Sequence, residues 1–193
     1  LAANIESIRK DHSDRLQLLL TSHSTHLAAK LSLENTVVMF EREDGTLGSH
    51  YVLSGLDVKK DKDSIRFLSL YLDATKSRLL FARRTILVEG IAEQVLIPLL
   101  FSMTHAQTLE SLGVSVVNVN GVAFKHFLRI CQNGLFKRCV VLTDQDTDTK
   151  TEERADKLKC DFDDGTLIKV CISEESTFEK DLISANQSGD GKS

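Results

Sequence analysis

The chain has 193 residues, 41% of them hydrophobic, which suffices for a core of ordinary size and for one domain with a fragment of another. Its 24 basic and 28 acidic residues leave a net charge of −4, which excludes the uniformly basic surface of a protein that grips nucleic acid by bulk charge, so charge has to be read locally. No apolar run reaches the ~18 residues of a membrane span, no signal peptide opens the chain, and Cys131, Cys139, Cys160 and Cys171 form no CxxC pair, which together indicate a reduced, cytoplasmic protein with core thiols and no membrane partner.

The opening segment lacks Met and reads as the tail of a helix, a polar turn, and then a buried strand, Leu16 to Leu20, that runs into the loop TSHSTHL. One strand cannot bury itself, so this segment is expected to be the last piece of a domain whose main part is missing, or to pack on the rest of the chain. A second apolar run, TVVMF at 36–40, leads into EREDGTLGSHYVLSGLD, whose three glycines mark a loop or hairpin. From Asp63 to Arg83 the period is helical, with Ile65, Leu68, Leu72 and Leu79 on one face. Lys76, Arg78, Arg83 and Arg84 crowd its end, either as a solvated last turn favoured by the helix dipole or as a phosphate-contacting patch.

From Thr85 the pattern alternates. Strand TILVE (85–89) precedes an apolar helix, Ala92 to Ser102, in which Pro98 is expected to cause a kink because it cannot bond back to the carbonyl of Gln94. Strand 114–120, helix 122–134 with Gly134 as its C-cap, strand 138–144, a charged helix from Thr151 to Lys159, strand 166–172 and helix Ser176 to Ala185 follow. Short apolar strands separated by helices of about ten residues indicate a parallel α/β sheet covered by helices. The tail QSGDGKS is polar and glycine-rich.

In such sheets ligands bind beyond the C-terminal strand ends, where loops converge and helix N-termini face the crevice. Here three strands discharge acids at that edge. The first ends in Glu89, with Gly90 allowing a tight turn and Glu93 at i+4; the second ends in Asp144 and Asp146; the third leads into Glu174, Glu175, Glu179 and Asp181. Carboxylates so gathered repel one another, and a divalent cation removes the conflict. Carboxylate oxygen is what Mg²⁺ and Mn²⁺ prefer, and four or more acids can hold two ions about 3.5–4 Å apart for in-line attack on a phosphodiester. Asp144 and Asp146, at i and i+2 past a strand, can share one ion or bridge two. A lone DxD is otherwise a solvated turn; the EGxxE of a neighbouring strand makes it a candidate metal site.

ILVEGIAE followed by VVLTDQD resembles the Toprim domain, the Rossmann-like metal-dependent fold of topoisomerases, primases and certain nucleases. LLLTSHSTHL resembles the last strand and switch-histidine loop of ABC-type ATPases, and an ATPase end joined through FARRTILVEG to Toprim looks like the OLD (overcoming lysogenization defect) family of ATP-dependent nucleases. The resemblance spans about residues 16 to 185 and implies three parts: an ATPase remnant at 1–50, a helical connector at 51–84, and a Toprim nuclease domain at 85–193. It implies two Mg²⁺ or Mn²⁺ ions on Glu89, Glu93, Asp144, Asp146 and Glu179, with Glu89, Asp144 and Asp146 catalytic. It makes His23 the sensor of the ATP γ-phosphate, although His23 and His26 also read as plain loop residues.

The chain departs from the family pattern by lacking a P-loop, an ABC signature and an aspartate-ended Walker B strand, so ATP belongs to the full-length parent alone. The basic residue used near the scissile phosphate has only the candidates Lys180 and Lys192, and Asp148 reads as an outer-shell or solvated acid. The expected partners are DNA, a second copy through the parent ATPase domain, and a helicase. The expected function is a metal-dependent DNA endonuclease, with a non-catalytic Toprim scaffold as the alternative and a receiver-like phosphotransferase third. A topoisomerase would need a strand-breaking tyrosine, and Tyr51 and Tyr71 lie outside the Toprim part. A primase would need further domains for which there is no room.

Overall fold

A computed structural model of the chain describes residues 7–8, 17–42, 44–72, 76–121, 124–135, 137–145 and 152–188. A four-residue helix α1 (Thr25–Ala28) precedes an antiparallel hairpin of β1 (Val37–Glu41) and β2 (Leu47–Tyr51), as the glycine-rich segment predicts. Phe40 pairs with Gly48, and a Cβ at 48 would lie 2.5 Å from the Phe40 ring, so the glycine makes room for the aromatic. The other partner of that ring is Arg83, whose guanidinium carbon sits 3.8 Å from the ring centroid. One member of the basic cluster is therefore a packing residue and not a solvated one.

Helix α2 (Lys62–Tyr71) buries Ser64 and Leu68, and Leu72 closes it with ψ 72, outside the helical region. The helix expected to reach Arg83 thus stops twelve residues early, and a 3₁₀ segment over Lys76–Phe81 carries Leu79 and Leu80 into the core instead. Beyond the break the buried Ser77 hydroxyl donates to the Leu72 carbonyl at 3.4 Å, so a side chain takes an acceptor that a continuing helix would have filled from its backbone. The expected N-terminal strand is also corrected. Residues 17–20 have no regular structure and are exposed, Leu19 to 91%, and they pair with no strand among the described residues. A strand without a partner leaves its backbone groups unpaired, so sequence character alone does not make one.

The rest is one parallel sheet flanked by helices. β3 (Arg84–Val88), β4 (Val114–Asn118), β5 (Arg138–Thr143) and β6 (Ile168–Ile172) lie in the order β4-β3-β5-β6. Between them run α3 (Ile91–Thr104), α4 (Phe124–Ile130) and α5 (Glu152–Phe162), with α6 (Phe178–Ser188) last. Helix α3 is continuous through Pro98. Gly134 does not cap α4 but sits within a π-helical turn, Cys131–Leu135, that extends it. Leu87, Val117, Phe124, Phe127, Ile130, Cys139, Val141, Ile168 and Val170 form one apolar cluster, which Leu33, Val52, Leu68 and Leu79 from the preceding segments join. Cys131 and Cys139 are buried there as free thiols, whereas Cys160 is exposed, against the expectation that all four are core residues. Among the described residues no helix is long and apolar enough to cross a membrane.

The strand order sets where a crevice can open. The chain leaves β3 to one neighbour, β4, and returns to the other, β5, so the C-terminal ends of β3 and β5 flank the point where the winding reverses. Helical crossovers diverge at such a point and leave a gap between them.

Candidate metal centre

The parallel register pairs Leu87 with Val141, and continuing it sets Glu89, one residue past β3, beside Thr143, the last residue of β5. The contact is made: the buried Thr143 hydroxyl donates to Glu89 Oε1, and the Asp144 backbone N–H donates to the same oxygen at 3.1 Å. Two groups of β5 thus fix the rotamer of an acid carried by β3.

Gly90 follows in extended conformation (φ −134, ψ −179) and acts as N-cap of α3. Its missing side chain is used. The Glu93 carboxylate folds back from the first turn so that Oε2 would lie 2.9 Å from a Cβ at position 90, and Glu93 is only 7% exposed. An acid in a first helical turn is favoured by the helix dipole, which offsets part of the cost of burying it.

Asp144 completes the described part of the cluster. Its Oδ1 accepts the Phe178 N–H at 3.0 Å, which ties the end of β5 to the start of α6, while the Gln145 N–H donates to Ser173 Oγ at 3.0 Å. Burial pushes the Asp144 carboxyl up to about 6, the negative charge of Glu89 adds to this, the Phe178 N–H opposes it, and Glu93 and Glu179 push further. Three of the other four expected metal ligands, Glu89, Glu93 and Glu179, are therefore near enough to Asp144 to act on its carboxyl electrostatically. Asp146, Asp148 and Lys192 lie outside the described residues.

Two side chains at this edge carry no motif. Thr143 was legible only as the end of an apolar strand. Arg154, in the first turn of α5, places Nη2 at 2.9 Å from Glu89 Oε1 and 3.1 Å from Oε2. The only sequence signal for Arg154 is a basic residue soon after a cluster of acids. Of the two lysine candidates for a phosphate contact, Lys180 is described, and its Nζ donates to Ser176 Oγ at 2.6 Å on an exposed surface.

His23 is elsewhere. Its ring lies 6.4 Å from that of Phe81, and it lines a cavity of about 610 Å³ with Arg78, Gln94, Pro98 and the start of β4. Since the acids stand at the C-terminal strand ends, His23 takes no part in that cluster.

The donors fit a hard divalent cation in kind: they are carboxylate oxygens, and one of them is half-buried and held up in proton affinity by burial first and by its like-charged neighbours second. In arrangement, no group of three or more His, Cys, Asp or Glu among the described residues is disposed to hold a metal ion. Glu89 is meanwhile neutralised by Arg154.

Residues 80–146 match the family model described as overcoming lysogenization defect protein-like, TOPRIM domain. Among solved structures the chain is similar to the C-terminal region of the Burkholderia pseudomallei OLD protein, at 27% identity over 58% of this chain and 68% of that one, with a TM-score of 0.44. It is also similar to the C-terminal region of the Xanthomonas campestris pv. campestris OLD protein, at 24% identity over 60% of this chain and about half (53%) of that one, with a TM-score of 0.38. No curated protein matches the chain in sequence.

Proposed function

We propose that this chain, whose residues 80–146 match the OLD-like TOPRIM family model, cleaves DNA phosphodiester bonds as a divalent-metal-dependent endonuclease. The observation that carries the proposal is the half-buried Asp144, whose carboxyl is pushed up to about 6 by burial and then by the charges of Glu89, Glu93 and Glu179, a cost that a divalent cation would relieve. Glu89, Glu93, Asp144 and Glu179, with Asp146, would hold Mg²⁺ or Mn²⁺. Two such ions, when bound, supply charge neutralisation at the phosphate and an acidified water for hydrolysis.

The chain's own contribution is orientation. Thr143 and the Asp144 N–H aim Glu89, the Phe178 N–H aims Asp144, and the space above Gly90 admits the Glu93 carboxylate. In this reading residues 85–193 are the nuclease domain, 51–84 a connector and 1–50 the end of an ABC-type ATPase domain. There His23 senses nucleotide in the full-length protein, and the ATPase domain brings two copies together on DNA.

A non-catalytic scaffold that docks an ATPase or helicase is the second reading, and the Arg154 pairing favours it, since Glu89 has a cation already. Plasmid nicking with Mn²⁺ separates the two. The nuclease reading expects nicking that Glu89→Ala and Asp144→Ala each abolish, and undiminished nicking in both variants would overturn it.

A further inference from the structure

We infer that the free edge of β4 is a docking site for one extended segment of a partner protein, which adds to the sheet as a further strand. The inference is independent of the metal-binding reading, because the site lies at the start of β4, at the end of the sheet opposite the acids.

β4 and β6 are the two outer strands of the sheet. Natural sheets defend such edges with charged side chains or proline. β6 carries Lys169, whereas β4 reads VSVVN and carries neither. The ladder identifies the outward backbone groups of β4. The Val119 N–H donates to the Val88 carbonyl, so odd-numbered residues face β3, and Val114 and Val116 face away. The Val114 N–H turns back to the Leu109 carbonyl at 2.9 Å, while the Val116 N–H and carbonyl have no hydrogen-bond partner among the described residues.

The space beside this edge suits an extended chain. Val114 and Val116 line the cavity of about 610 Å³, together with Arg78 and Phe81 from the 3₁₀ segment and Pro98 from α3. In strand addition the backbone hydrogen bonds give affinity and alternate side chains give specificity. A second copy of the chain fits less well, since it would bring its own 3₁₀ segment and α3 into the same space. Charge states what the segment carries. Arg78 is exposed and forms no ion pair among the described residues, so a carboxylate on the segment complements it. Glu110 lines the cavity as well, which favours a single acid among alternating apolar residues over an acidic run.

The test starts from a library of short random peptides displayed on phage and panned against the whole chain, after which a synthetic copy of an enriched sequence is titrated by calorimetry. Enriched peptides should alternate apolar residues and carry an acid, and their binding should slow hydrogen exchange at the Val116 N–H. Val116→Pro removes that donor without touching the ladder to β3, and it should weaken binding about tenfold. Arg78→Glu should weaken binding several-fold, and it also serves if Val116→Pro fails to fold, because Arg78 is on the surface. The inference is overturned if no sequence is enriched, if a folded Val116→Pro binds the peptide as tightly as the unaltered protein, or if Arg78→Glu leaves its affinity unchanged. It is overturned equally by a dimer in sedimentation that protects Val116, or by a single-stranded DNA oligonucleotide that protects it in the peptide's place. None of these outcomes bears on Mn²⁺-dependent nicking, so the two readings fail separately.

Discussion

At the scale of single residues, the acid cluster depends on neighbours that carry no charge. Gly90 has extended backbone angles that any residue adopts, so alanine there brings no backbone strain. Its methyl would instead meet Glu93 Oε2 at 2.9 Å and push the carboxylate away. Gly90→Ala should therefore keep its thermal midpoint while binding Mn²⁺ several-fold more weakly, a split that calorimetry beside thermal unfolding reads directly. Asp144 makes a second prediction. Its carboxyl rises from 3.8 to about 6 on folding, so between those values the folded state holds a proton that the unfolded state has lost. Stability from this group thus falls as pH rises through that window and stays reduced above it. In a chelating buffer Asp144→Asn should melt higher than the unaltered protein at pH 7, with the difference shrinking as pH approaches 4. The EGxxE and TDQD spacings made Glu89, Glu93 and Asp144 legible in sequence. Thr143 and Arg154 were not, because their role is a contact made 54 and 65 positions away along the chain.

At the scale of elements, periodicity located every strand of the parallel sheet and each of its helices to within a few residues, because burial on both faces demands continuous apolar runs of fixed length. It failed where a segment's fate depends on its partners. The run at 17–20 has strand composition and no strand to pair with, and the long helix predicted over 63–83 breaks at Leu72. What holds this part of the chain is instead a packed junction between α2 and α4. Ser64 Oγ lies 3.0 Å from His126 Nδ1, Phe67 stacks on His126 at 4.3 Å, and Phe67 meets Phe127 edge-on at 6.1 Å. Phe127 is fully buried, so Phe127→Ala should cost about 3–5 kcal/mol of stability, measured by denaturant unfolding. His126 titrates below its ordinary value because burial disfavours its charge, an effect that Lys125 reinforces and Asp63 opposes. Its contribution to stability is thus complete above pH 6.5 and is lost as pH falls below it.

At the scale of the whole molecule, one apolar cluster joins Leu33 and Val52 of the leading segments to the strands of the sheet, so an event at the sheet edge is felt in global unfolding. A ligand that binds only the folded state stabilises it by mass action. Mn²⁺ at a hundred times its dissociation constant should add about 2.7 kcal/mol, or roughly 5–10 °C in the melting midpoint. Asp144→Asn should lose that gain, and an equal shift in both proteins would place the bound ion elsewhere. The sequence by itself determined the fold class, because alternation of apolar strands with helices leaves few topologies, and it marked the strand-end acids as candidates. Only the tertiary structure decided which acids meet, that His23 stands apart from them, and that Arg154 neutralises Glu89. The physical reason is that strand order is set by which apolar faces pack together, and it is the β4-β3-β5-β6 order that puts the ends of β3 and β5 side by side.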